Sequence, residues 1–375
     1  MNLLARAVGL LVVVFWTVAS YAAESKPNWQ AEWERTVQAA KKEGSLSLYL
    51  FQGEGELGTV VQLFQKKYPE INVVTTLGRG NTLAPRIMAE RRAGKYLVDV
   101  YISGVTTAYE VLYRAKILDS VRTSLILPEV TDESKWWLGQ HQYVDPENRY
   151  ILLYLGNVGE YVSYNTKAVE AGEIRSYWDF LQTKWKGKIL SRDPKISGSQ
   201  RIGLRMYYHT PELGADFIRR LYGEMDVTLT QEIRQATDWL ASGKFAICFF
   251  CSEDFEIGKR QGLPIDSLDV DWKEGAGLVS QSGNLAVLKN APHPNAAKVF
   301  INWLLSREGQ TELQRVLAKV QPAESRRNDI LKDDVPADVR RRPGEKYMDL
   351  DSRPEWSDIE PVRKLLNEVL KETKK

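Results

Sequence analysis

Short apolar strands that each run into a small polar loop and then an amphipathic helix constrain this chain more than any other feature. Leu46 to Leu50 reads as a strand and leads into the glycine-rich loop Gln52, Gly53, Glu54, Gly55, Glu56. Val60, Val61 and Phe64 mark a helix that stops before Pro69, and Ile71 to Thr76 is the next strand. A loop from Gly78 to Asn81 follows. The next helix carries Leu83, Ile87 and Glu90, with Asn81 as its cap and Gly94 as its end. Val98 to Ile102 is a third strand, ending at Ser103 and Gly104. Such an alternation buries its strands in a mostly parallel, doubly wound sheet, so the fold class is α/β.

The chain has 375 residues, enough for two domains of ordinary size. After a less regular stretch from Leu125 to Tyr150, a second strand–helix series begins with Ile151 to Leu155 and Tyr161 to Tyr164. Trp178 to Leu181 reads as helical, and Gly187 to Leu190 as a short strand. The loop Asp193 to Ser199 opens a helix through Tyr208, and Thr210, Pro211 and Glu212 have the composition of a further helix start. Gln231 to Ser242 is a helix closed by Gly243. It leads into Phe245 to Phe250, an apolar strand that turns polar at Ser252, Glu253 and Asp254 and continues as a helix towards Gly262. A buried strand running into a polar loop at a helix N-terminus is where open α/β sheets bind ligands. Beyond it come a strand from Leu285 to Leu288, helices from Ala296 to Leu305 and Glu308 to Ala318, and a charged tail from Arg326. The tail includes Arg340, Arg341 and Arg342 and ends in an amphipathic helix. It reads as a solvated surface strap.

Charge excludes some partners. Lys plus Arg total 51 against 49 Asp plus Glu, a formal net charge of +2, which offers nothing to attract nucleic acid or an anionic membrane. At the N-terminus Arg6 precedes an apolar run from Val8 to Ala19, and small residues stand before a cut after Ala22. This is the layout of a secretory signal peptide, with a run too short for a transmembrane span. The mature protein is expected to be exported. The two cysteines, Cys248 and Cys251, are spaced as a redox C-x-x-C. At the end of an apolar strand they can equally form a short structural disulfide or stay as buried thiols. His141, His209 and His293 have no catalytic motif around them, and no phosphate-binding P-loop is present.

Several runs resemble a known family. FQKKYPEINV at 64–73, LVDVYISG at 97–104, YVSYNTKAV at 161–169, WKGKI at 185–189 and SGNLAVLKNAPHPNAAKVFINWLLSREGQ at 282–310 are similar to segments of the type II periplasmic binding proteins of ABC importers, in order and with family-like spacing. The nearest branch is that of the ferric-ion-binding proteins. The resemblance implies two doubly wound α/β lobes joined by a hinge. The expected division is a signal peptide at 1–22, one lobe from 23–157 and 276–325, the second from 158–275, and a helical tail at 326–375 packing on the lobes. It also implies a monomer that binds a small solute between its lobes, hands it to an inner-membrane ABC permease, performs no chemistry and carries no cofactor.

The same resemblance sharpens the site. The family's iron ligands, a His, a Glu and a Tyr pair, fall here on Gly53, Gly104, Ser252 and Glu253, so bare ferric iron bound by the usual set is not expected. A Ser-Gly-small turn that holds an anion in that branch is matched by Ser197, Gly198 and Ser199. Free backbone N–H groups, hydroxyls and the helix dipole there favour phosphate or carboxylate. Arg201, in the same region, and Arg79, beside Asn81, are candidate anion contacts or surface ion-pair partners. Gln52, Glu54, Ser103, Ser252 and Glu253 complete the expected site, with Glu253 either a ligand contact or a helix N-terminal acid. The expected cargo is an anionic or zwitterionic solute: a phosphonate, a sugar phosphate, a carboxylate or a metal chelate. The alternatives are ferric iron on non-standard ligands, a sensory protein for a receptor kinase, and an exported enzyme on the bilobal fold. The Tyr207–Tyr208 pair is expected to pack rather than bind.

Overall fold

A computed structural model describes residues 29–51, 56–159, 162–195, 199–251, 255, 258–259, 261–280, 282–319, 322–351, 353, 356 and 358–372. In chain order the strands are β1 (Ser45–Leu50), β2 (Asn72–Leu77), β3 (Val100–Ile102), β4 (Leu118–Asp119), β5 (Gln142–Tyr143), β6 (Ile151–Leu153), β7 (Asn157–Gly159), β8 (Val162–Asn165), β9 (Ile189–Arg192), β10 (Thr228–Thr230), β11 (Ile247–Phe249), β12 (Ile265–Ser267), β13 (Ala276–Val279), β14 (Asn284–Leu288) and β15 (Tyr347–Asp349).

The first sheet runs β2-β1-β3-β14-β6-β5, with β4 beside β14. β1 pairs in parallel with β2 and β3, and Leu50 lies level with both Leu77 and Ile102. Alternate side chains leave opposite faces of a strand, so both faces must be apolar to be covered. Leu46, Leu48, Leu50, Val100 and Leu285 pack on Phe64, Phe300 and Trp303 of flanking helices, while Tyr49, Tyr101 and Ala286 meet Leu83 and Ile87 of helix Gly80–Arg92 on the other side. Asp99 pins the amino end of β3. Fully buried, its carboxylate accepts from the backbone N–H groups of Ser47 and His293 at 2.7 Å and is 2.9 Å from His293 Nδ1.

The second sheet runs β10-β9-β11-β8-β12, with β10, β9 and β11 parallel. Its core holds Phe180, Tyr207, Phe217, Leu221, Phe249 and Phe250. Between the two sheets lie β7 and β13, paired antiparallel, with β15 from the tail added in parallel on β13. Helix Glu360–Glu372 sets Val362, Leu365, Leu366 and Val369 into the second core. The tail is therefore not a solvated strap. Two of its arginines are buried in pairs: Arg326 forks onto Asp349 at 2.9 and 3.2 Å, and Arg341 Nε donates to Glu324 at 3.0 Å. A charge run implies solvent only when no partners fold against it, and here they do.

Residues 177–181 are helical as expected, a 3-10 turn over which Ser176 and Asp179 close a capping box. Two local expectations give way to context. Thr210 ends a helix instead of starting one: its N–H and hydroxyl both bond the Met206 carbonyl, and the next helix begins at Gly214 with φ +62°. Arg79, not Asn81, caps helix Gly80–Arg92, with extended backbone at φ −79° and ψ 155°.

Two contacts yield predictions. Phe250 follows β11 with φ +62°, and its ring reaches within 2.3 Å of where a Cβ on Gly203 would stand. That close approach seats helix Ser199–His209 on the end of β11. Gly203→Val should cost about 1–3 kcal/mol by overpacking, measured by urea unfolding; unchanged stability would contradict the contact. Lys332 Nζ donates to the Ser325 carbonyl at 2.7 Å and lies 3.9 Å from Glu324, and burial pushes its pKa down to about 7. The unfolded chain restores the ordinary value near 10.4, so from about pH 7 to 10 unfolding takes up a proton and stability rises with pH. Lys332→Met should remove that rise, which is at most about 1.4 kcal/mol per pH unit, since Arg341 Nη2 still donates to the Ser325 carbonyl at 2.7 Å. Parallel stability–pH profiles for the two proteins would contradict this assignment.

Candidate functional site

The carboxyl ends of the parallel strands in the first sheet form one laced edge. Phe51 N–H donates to the Ile102 carbonyl at 2.7 Å and Gly78 N–H to the Leu50 carbonyl at 2.9 Å, so the loops after β1, β2 and β3 emerge together. Ser103, fully buried, donates its hydroxyl to the Gly78 carbonyl at 3.3 Å. Gly80 must be glycine here. A Cβ on it would lie 2.9 Å from both the Thr107 and Tyr101 hydroxyl oxygens. Arg79 and Asn81 stand exposed on this edge, and neither side chain bonds to another described residue.

The second sheet presents a matching edge. Ser191 lies level with Phe249 and Leu229, so the loops after β9, β10 and β11 also emerge side by side. Asp193 organises the first of them, accepting from Lys195 N–H at 2.9 Å and from Gln231 Nε2 at 3.0 Å. Helix Ser199–His209 then begins with Ser199 and Arg201 in its first turn. Tyr207 is fully buried among Tyr177, Phe217 and the Phe249–Phe250 pair, so this tyrosine packs as expected. Cys248 and Cys251 are disulfide-bonded and buried with Leu240 and Phe255, where no external thiol reaches them.

The two edges meet at Arg205, which is 6% exposed. Its Nη2 lies 3.5 Å from the Thr106 hydroxyl, two residues past Gly104 in the loop after β3. Nearby, the Asp351 carboxylate accepts from both the N–H and the hydroxyl of Ser280 at 2.7 Å, where the chain leaves β13. Burial raises the Asp351 pKa, with the Ser280 hydrogen bonds and the Arg205 charge opposing it. Sequence reasoning passed over Arg205. It lies four residues beyond Arg201 in the same helix, with no motif around it.

Of the expected site residues, Arg79, Asn81 and Ser103 stand together on the first edge, and Ser199 and Arg201 open the helix on the second. Gln52, Glu54, Ser197, Ser252 and Glu253 lie outside the described residues. Among the described residues no three His, Cys, Asp or Glu side chains group closely enough to hold a metal, and no helix is long and apolar enough to cross a membrane. Each histidine has a local role. His141 Nε2 bonds the Val130 carbonyl at 2.8 Å, His209 stacks on Trp356, and His293 holds Asp99.

Comparison with known proteins matches this arrangement. The family model for bacterial extracellular solute-binding proteins covers residues 59–339. An uncharacterized protein of Haemophilus influenzae is 24% identical over 284 residues, 72% of this chain and 76% of that one. Among solved structures, the Trichodesmium protein IdiA (FutA) in complex with iron and citrate superposes with a TM-score of 0.64 at 17% identity, over 87% of this chain and 99% of that one. Apo FutA2 from Synechocystis gives 0.63 at 16%, over 87% and 98%. The periplasmic binding protein AfuA from Actinobacillus pleuropneumoniae, with fructose-6-phosphate bound, gives 0.56 at 19%, over 88% and 99%. With strand-end loops of two α/β sheets facing each other across a short connecting sheet, and a family match over most of its length, the chain belongs to the bacterial extracellular solute-binding proteins and has the bilobal fold of the periplasmic binding proteins.

Proposed function

We propose that this protein is the periplasmic substrate-binding component of an ABC importer, which captures a small anionic or zwitterionic solute between its lobes and delivers it to a membrane permease. The lobes are residues 23–157 with 276–325, and residues 158–275, and the segment 1–22 is the export signal. The observation that carries the reading is the meeting of the two strand-end edges at Arg205 and Thr106. Ligands of open α/β sheets sit outside the carboxyl ends of the strands, and here two such ends share one crevice.

The anion preference rests on the second-lobe helix. Ser199 and Arg201 open it, its first N–H groups carry the positive end of the helix dipole, and Arg79 stands exposed on the opposite edge. An Arg fork and a helix N-terminus together suit a phosphate or carboxylate. The sugar phosphate bound by AfuA and the citrate bound by the Trichodesmium protein belong to the same chemical class. The described histidines are engaged in structural contacts, which leaves the crevice without a nucleophile–base pair from them.

Calorimetry with inorganic phosphate, citrate and fructose 6-phosphate tests this reading. At least one should bind with one-to-one stoichiometry, raise the melting temperature and be recovered unaltered. Arg79→Ala combined with Ser199→Ala removes two charge-assisted contacts of about 1.5–3 kcal/mol each and should weaken that binding a hundredfold or more. Unchanged affinity in the double variant would refute the anion site, and turnover of a probe would refute a purely binding role.

A further inference from the structure

One level of the first sheet is polar where its surroundings are apolar. β14 is antiparallel to β3 with Ala286 opposite Tyr101, which brings Asn284 level with Ser103 at the carboxyl end of β3. On the other side Asn284 pairs with Leu153, and Leu153 pairs with Gln142 on β5. Ser103, Asn284, Leu153 and Gln142 thus form a row across four strands at the crevice end of the sheet. The alternation of side chains puts the row on the face of Tyr101, Ile151, Ala286 and Leu288.

Three of the four are polar and at least nine-tenths buried: Ser103 and Asn284 at 0% and Gln142 at 7% exposure. Ser103 is committed to the Gly78 carbonyl. Among the described residues neither the oxygen nor the nitrogen of the Asn284 amide has a hydrogen-bond partner, and neither does Gln142 Oε1. A buried amide without partners is destabilising, and groups of this kind persist where function requires them. Beside Ser103 the chain leaves room at Gly104: a Cβ there would meet nothing nearer than the Gly80 Cα and the Thr107 hydroxyl oxygen, both at 3.7 Å.

The unmet valences specify a chemistry. A carboxamide pair offers donors and acceptors without charge. A hydroxyl, which both donates and accepts, satisfies it; a phosphomonoester dianion or carboxylate supplies acceptors alone and an ammonium donors alone. We propose that Asn284 and Gln142 form a neutral subsite on the first-lobe wall of the crevice that receives a hydroxyl of the solute. This rests on the anion-binding reading above and deepens it: the cargo carries hydroxyls as well as an anionic group, as a polyol or sugar phosphate does.

The test uses the full mature chain and three probes, inorganic phosphate, D-fructose and fructose 6-phosphate, with wild type and Asn284→Leu. Wild type should bind fructose 6-phosphate more tightly than phosphate. Asn284→Leu should lose at least tenfold in affinity for fructose 6-phosphate, keep its affinity for phosphate, and melt at the same or a higher temperature without ligand, because an unpartnered amide has been removed. Unchanged affinity for fructose 6-phosphate, or a lower melting temperature with unchanged discrimination between the probes, would overturn the proposal in favour of a structural amide. If Asn284→Leu does not fold, Gln142→Leu is read by the same criteria. Binding of fructose alone, abolished in the variant, would keep the subsite and refute the anion site. Equal affinity of wild type for phosphate and fructose 6-phosphate would do the reverse, and no binding of any probe would overturn both.

Discussion

The buried guanidinium of Arg326 holds together the part of the molecule on which both sheets depend. Its Nε donates to the Leu155 carbonyl at 2.7 Å, its fork closes on Asp349, and Gly156 lies against it so tightly that a Cβ there would stand 3.0 Å from Nε. One side chain thereby joins the end of the first sheet, the start of β7 and the tail strand β15. Removing either partner would strand a charge in the interior, a loss of about 3–5 kcal/mol. The connection between the sheets is therefore three-stranded and anchored, and the tail belongs to it.

From that connection follows the geometry of the crevice. With β7 and β13 fixed, the parallel strands of each sheet aim their carboxyl ends at one another, and Arg205 spans the gap to Thr106. The wall from the second sheet is set by packing: Phe250 rests on Gly203 and so places the helix that starts at Ser199. The wall from the first sheet is set by backbone bonds between loops and by glycines that admit no side chain. A solute that contacts both walls favours the closed arrangement by as much as it prefers that arrangement over the open one.

Much of this was legible in the residues. The alternation of apolar runs with polar loops gave the α/β class and most strand positions within two residues, since periodicity reports burial directly. The family resemblance was legible in runs such as those at 97–104 and 282–310. The tail was misread because Arg341 looks solvated until its partner, Glu324, folds against it from a distant position. Thr210 misled for a similar reason, as a cap-forming hydroxyl serves either end of a helix. In the site, Arg79, Asn81 and Ser103 fall together because they follow β2 and β3, the parallel strands on either side of β1. Arg205 and Asn284 carried no motif: one shares its helix with a second arginine, the other is a polar residue inside a strand. Only the register across β3, β14, β6 and β5 lines Asn284 up with Ser103 and Gln142.

The central claim is that solute is held between the two sets of strand-end loops. Hydrogen–deuterium exchange with and without saturating fructose 6-phosphate tests it most directly. Protection of both residues 51–55 with 103–107 and residues 193–205 with 250–254 is the predicted result. Protection confined to one sheet, or to the surface under helix Glu360–Glu372, would contradict it.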